Sequence, residues 1–248
     1  MLRLKIKNRE KNDNLPIGVN RGMSPLFNYH EAPCVLTDYV LRYSHLLNAV
    51  ERLTNFASVG NQSLKILDVG CGYGEMLRFF QSSFKAKGTR IQYRGYDLDP
   101  FKFGLIEKEI FKSLEGTYFK FIKADFTTFT EYEKADVAIC SEVLEHLEKE
   151  DGLFLLKQLR KKVKYLVGTV PAPCKRENEW HVNEMDRKTL EAFLKLAGFT
   201  RIYTGSLEIR FDRKLAGEWV SKSVWKNCTG LIKGNEAIEG SDTFFVYK

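Results

Sequence analysis

Residues Leu67-Asp68-Val69-Gly70-Cys71-Gly72-Tyr73-Gly74-Glu75 decide how this chain is read. A short apolar run, Lys65–Val69, enters a glycine cluster, and residues 75–86 then follow a helical pattern. That is a strand, a tight turn and a helix in succession. Glycine adopts positive φ without steric cost and lets a ligand lie directly against the backbone. In open α/β sheets, ligands bind at the carboxyl ends of the strands, where such turns sit. The spacing is G-x-G-x-G, one glycine out of register with the G-x-G-x-x-G dinucleotide fingerprint, which argues against NAD.

Strands and helices alternate on either side of this turn. Further strands are predicted over 91–97, 118–124, 135–140 and 163–170. Asp99-Pro100 supplies an N-cap and an N1 proline for a helix running to about 115. Helices are also predicted over 35–55, 142–162 and 186–197. The β-branched and aromatic segments 199–209 and 242–248 complete the set as strands. Alternating β and α units imply an α/β, Rossmann-like, doubly wound fold. The expectation is a mostly parallel seven-stranded sheet. No clean crossover precedes the final segment, so the last strand is expected to be antiparallel.

Three further strand ends carry chemistry-bearing side chains. The second ends in Asp97, 29 residues after Asp68, where a carboxylate can accept both hydroxyls of a ribose. The third ends in Ala124-Asp125-Phe126, an acid beside an aromatic, which suits an adenine. The fourth runs into Ser141-Glu142-Val143-Leu144-Glu145-His146-Leu147. Asp125 also reads as a turn residue and Ser141 as an N-cap.

Together these strand ends resemble the class I S-adenosylmethionine (SAM) dependent methyltransferases, over roughly residues 60–205. L-D-V-G-C-G-Y-G is similar to the family's first motif, and Y-D-L-D to the acidic end of its second strand. A-D-F resembles the adenine-contacting segment. S-E-V-L-E-H-L and H-V-N-E-M-D-R-K-T-L-E-A-F-L-K-L-A-G-F resemble the small-molecule branch that includes the ubiquinone-biosynthesis O-methyltransferases. The resemblance implies that SAM is the cofactor. It places Asp68, Gly70, Cys71 and Gly72 at the methionine end, counts Gly74 among the cofactor-binding residues, and puts Asp97 and Leu98 at the ribose and adenine. Asp125 and Phe126 would take the adenine edge. Ser141 and Glu142 would close the site beside the transferred methyl.

A hydroxyl or carbon-acid acceptor calls for a base, and His146 and His181 can supply one. Helical spacing would put Glu142, Glu145 and His146 on one face. With His181 they form a credible set for a divalent ion. The small-RNA 3′-terminal 2′-O-methyltransferases use a similar E-x-x-E-H helix plus a later histidine. The metal-free reading is preferred, because E-x-x-E-H is also common in the small-molecule branch. Amino-methylating DNA enzymes need a D-P-P-Y-like segment where this chain has Cys140-Ser141-Glu142-Val143. Pro173-Cys174 resembles the cytosine-C5 dipeptide but follows the fifth strand rather than the fourth.

The 248 residues suffice for one domain with a sizeable core. No apolar run approaches the roughly 20 residues of a membrane span. The polar, basic start lacks the apolar core of a secretory signal, which points to the cytoplasm. Five scattered cysteines, none in a C-x-x-C pair, read as free thiols. The net charge of +7 is spread along the chain, its densest cluster being Lys157, Arg160, Lys161, Lys162 and Lys164. Those residues fall at a predicted helix C-terminus, where the dipole alone favours cations, so nucleic acid is only weakly indicated.

Residues 1–32 read as a flexible N-terminal segment, 33–248 as the methyltransferase domain and 210–241 as a substrate-side insertion. Tyr29, His30, Tyr39, Tyr43, His45, Trp219 and Trp225 mark the acceptor segments. The acceptor is expected to be a small molecule or nucleotide. An RNA 2′-O-methyltransferase with a Glu/His metal site and a catalytically silent SAM-fold module stand as alternatives.

Overall fold

A computed structural model describes residues 33–54, 63–72, 74–86, 90–98, 117–171, 181–211 and 238–248. In chain order its elements are α1 (Pro33–Thr54), β1 (Ser63–Val69), α2 (Glu75–Ala86), β2 (Arg90–Asp97), β3 (Thr117–Lys123) and β4 (Ala135–Ser141). A short 3₁₀ helix (Leu144–His146), α3 (Lys149–Arg160), β5 (Val163–Pro171), α4 (Arg187–Leu196), β6 (Arg201–Phe211) and β7 (Ile238–Tyr247) follow.

The strands form one seven-stranded sheet in the order β3-β2-β1-β4-β5-β7-β6. The pairs among β1 to β5 are parallel, whereas β7 runs antiparallel to both β5 and β6. Strand order, not strand direction, reverses between the parallel neighbours β1 and β4: β2 and β3 extend the sheet to one side and β5 to the other, with the carboxyl ends of β1 and β4 together at the middle. That junction is the switch point where ligands bind in such sheets.

Alternating side chains divide the core into two layers. Leu64, Ile66, Val137, Ile139 and Val167 face α1 and α2, meeting Leu46, Val50, Leu77, Phe80 and Phe84. Leu67, Val69, Ala138, Cys140 and Leu166 face α3 and α4, meeting Leu155, Leu156, Leu159, Leu190 and Leu194. In α2, Leu77, Phe80 and Phe84 recur at helical spacing and are almost wholly buried. Burying each is worth about 1.5–3 kcal/mol. β4 and β5 lie so close that a Cβ added at Gly168 would fall 1.8 Å from the Cys140 carbonyl oxygen.

Two expectations are corrected. The predicted helix over 142–162 is a 3₁₀ turn and a separate α-helix, divided where Leu147 and Glu148 are extended, with ψ of 141° and 155°. Glu142 precedes both pieces in a left-handed conformation, φ 57°. The buried Leu144 and Leu147 pull this segment onto the core in place of a regular helix. The strands β6 and β7 also take Arg210, Phe211 and residues 238–241, which leaves 212–237 between them. That stretch, the helix predicted after Asp99, residues 1–32, Trp180 and Cys174 lie outside the described residues. Among the described residues, no helix is long and apolar enough to cross a membrane.

Candidate active site

The glycine turn is pinned to the end of its neighbouring strand. The Gly70 and Cys71 amides both donate to the Tyr96 carbonyl, at 2.8 and 3.1 Å. The Gly72 amide donates to Asp97 Oδ2 at 2.9 Å. Gly70, Gly72 and Gly74 all have positive φ. At Gly70 a Cβ would also fall 2.4 Å from Val143 Cγ2, so glycine is required there by both conformation and space. The turn thus presents bare backbone beside a carboxylate, and Leu98 next to it is 40% exposed. With SAM bound here, the bare backbone would face its methionine end, Asp97 would face the ribose hydroxyls and Leu98 an adenine face.

The side chains of Asp68 and Cys71 sit below that surface. Both are buried, and Asp68 accepts a hydrogen bond from the Tyr93 hydroxyl. The Cys71 thiol packs with the α1–α2 layer, which leaves its backbone for the ligand side. Burial pushes the Cys140 thiol well above its ordinary range. Asp125 builds its own turn, its Oδ1 accepting from the Thr127 amide at 3.0 Å and hydroxyl at 2.7 Å. Phe126 packs, partly buried, on the α3–α4 core layer.

Beyond the glycine turn, the ends of β4 and β5 carry a linked set of polar groups. The Ser141 and Thr169 hydroxyls lie 2.7 Å apart. The Thr169 hydroxyl donates to Glu142 Oε1 at 2.9 Å. Glu142 Oε2 faces Arg42 of α1 at 3.6 Å, and the Arg42 side chain is only 8% exposed. Arg42 and Thr169 were missed in the sequence. Arg42 left a signal, since it stands one turn before the core residue Leu46, a charge on the apolar face of an amphipathic helix. Thr169 left none.

A second cluster forms where the 3₁₀ helix meets the loop before α4. The Glu145 carbonyl accepts from the Val182 and Asn183 amides, at 2.9 and 3.1 Å. This stitching sets the His146 and His181 rings 5.0 Å apart, edge to face. His146 Nε2 lies 3.7 Å from the buried Glu145 carboxylate. Partial burial, with His146 nearby, holds the His181 pKa below its ordinary value. Glu142 does not share a face with Glu145 and His146. Its left-handed backbone sends it to Thr169 and Arg42 instead.

Residues 36–204 match the family model described as a methyltransferase domain. The chain belongs to that family. It is a SAM-dependent methyltransferase, an enzyme, with SAM as its cofactor. A SAM-dependent methyltransferase from Clostridium acetobutylicum ATCC 824 superposes with a TM-score of 0.58 at 11% identity, covering 90% of this chain and 96% of its own. A cyclopropane synthase from Mycobacterium tuberculosis gives 0.56 at 14%, covering 80% and 82%. The magnesium protoporphyrin IX methyltransferase of Synechocystis PCC 6803, with bound SAH, gives 0.51 at 15%, covering 82% of each chain. At such identities these likenesses concern the fold. No curated protein matches the sequence.

Proposed function

We propose that this methyltransferase acts on a small molecule or nucleotide whose nucleophile carries a removable proton. The supporting observation is the Arg42–Glu142 pair, which ties α1 to the ends of β4 and β5. A helix drawn over the strand ends favours an acceptor that can be enclosed, and enclosure excludes water from the reacting atoms.

SAM supplies a methyl already activated by its sulfonium. The chain has to hold it and align the acceptor. The Gly70–Gly72 backbone and Asp97 are assigned to the cofactor, with Leu98, Asp125 and Phe126 around the adenine. Asp68 and Cys71 support the turn from beneath. Glu142, His146 and His181 are assigned to the acceptor side, where they assist departure of its proton, and Ser141 with Thr169 orients Glu142.

Transfer of labelled methyl from SAM to a panel of hydroxylated small molecules and nucleotides, with RNA alongside, tests this reading. Label on a low-molecular-weight acceptor is expected. Label on RNA alone would overturn it, and strong salt dependence of RNA affinity would accompany that outcome.

A further inference from the structure

We infer that Glu145, His146 and His181 form a binding site for one divalent first-row transition-metal ion. One ligand atom from each residue, a carboxylate oxygen and two imidazole nitrogens, lies within 4.8 Å of the other two. An ion about 2.1 Å from each of three such donors holds them about 3–4 Å apart, so small side-chain rotations complete the set. Two imidazoles and one carboxylate suit zinc, cobalt or iron rather than magnesium, which prefers oxygen ligands.

The surroundings favour a held ion over a chance meeting of side chains. Glu145 is 1% exposed, so its charge is withdrawn from water at the point where the two rings converge. The backbone around the donors is braced. The Glu145 carbonyl takes two amides from the 182–183 loop, and the Asn183 side chain donates to the Leu144 carbonyl at 3.5 Å. Such supporting contacts orient ligands before an ion arrives. His146 is exposed and His181 half-buried, which leaves a path for entry. Glu142 is not among the donors, since its carboxylate is engaged by Thr169 and Arg42.

Three protein donors leave at least one coordination position for a further ligand, the arrangement of catalytic rather than structural sites. Resting on the acceptor reading above, that position suits an acceptor oxygen, which would narrow the acceptor to a hydroxyl compound.

The full chain, stripped with a chelator, is titrated with Co²⁺ by visible absorption and with Zn²⁺ by calorimetry. One ion per chain is expected, with no response to Mg²⁺. His181→Ala should weaken binding by more than the roughly 10–100-fold that loss of a supporting partner costs. Glu145→Gln should do the same while keeping the shape of the buried side chain. An unchanged thermal shift with SAM in each variant reports intact folding. Absence of stoichiometric binding, or affinity in both variants equal to that of the unsubstituted chain, would overturn the site. The titration uses no acceptor, so failure of the acceptor panel leaves it standing. Methyl transfer that survives chelation undiminished would overturn the oxygen-ligand role and leave the enclosed acceptor intact.

Discussion

The carboxyl edge of the sheet has two halves built in different ways. At β1 and β2 the site is main chain: glycine amides tied to the Tyr96 carbonyl and to one carboxylate, Asp97. At β4 and β5 it is side chains gathered from far apart: Arg42, Glu142 and Thr169 in one group, Glu145, His146 and His181 in the other. A backbone cradle can be written in one short motif. A constellation of side chains depends on where several elements pack. On the proposed assignment, the first half would serve the constant cofactor and the second would be free to vary with the acceptor.

Gly70→Ala should show the largest effect. Positive φ and the 2.4 Å approach of Val143 both oppose a side chain there. A loss of roughly 2–4 kcal/mol of stability is expected from strain and overpacking, read by denaturant unfolding, together with loss of SAM affinity. An unperturbed variant that binds SAM would show that the turn is not the cradle. Asp97→Ala comes next. It removes the carboxylate that holds the Gly72 amide and is assigned to the ribose. Charged hydrogen bonds are worth about 1.5–3 kcal/mol, so SAM affinity should fall roughly 10–150-fold by calorimetry. Unchanged affinity would remove Asp97 from the cofactor site.

Arg42→Ala sharpens the contrast from the other side. It should lower kcat/KM for the acceptor by about 1–2 kcal/mol, roughly 5–30-fold, while SAM affinity stays within about twofold. Equal losses in both would merge the two halves into one unit. Asp186→Ala lies outside both. Asp186 caps α4 by accepting from the Thr189 amide at 2.7 Å, and hydrogen bonding by the Thr189 hydroxyl first and its amide second holds the carboxyl below the usual carboxylate range. Because the folded pKa is depressed, the cap contributes above the unfolded value near 4 and is lost as pH falls through the folded one. The variant should lower Tm slightly at neutral pH with activity unchanged, and its deficit should shrink on acidification. A constant deficit down to low pH would assign the loss to something other than the charged cap.

The same division governs what could be read from the sequence. The glycine turn and the strand endings at Asp97 and just before Asp125 were legible because each rests on local spacing or alternation, and the antiparallel β7 because no clean crossover precedes it. The segment after β4 was not. Its helical period was genuine, yet the burial of Leu144 and Leu147 broke it into a 3₁₀ turn and α3, and turned Glu142 away from Glu145. The pairing of His146 with His181 was expected only as one alternative. It depends on the Glu145 carbonyl meeting the Val182 and Asn183 amides, a contact across 37 residues or more that no periodicity reports. Arg42 was visible as an oddity in α1, but its partner, a hundred residues away, was not.

Thermal unfolding of the full chain with SAM, and separately with NAD, tests the cofactor cradle most directly, since a ligand that binds only the folded state must raise the midpoint. A rise with SAM and none with NAD is expected, and it should vanish in Asp97→Ala. No rise with SAM, or an equal rise with NAD, would contradict the assignment of the glycine turn and Asp97.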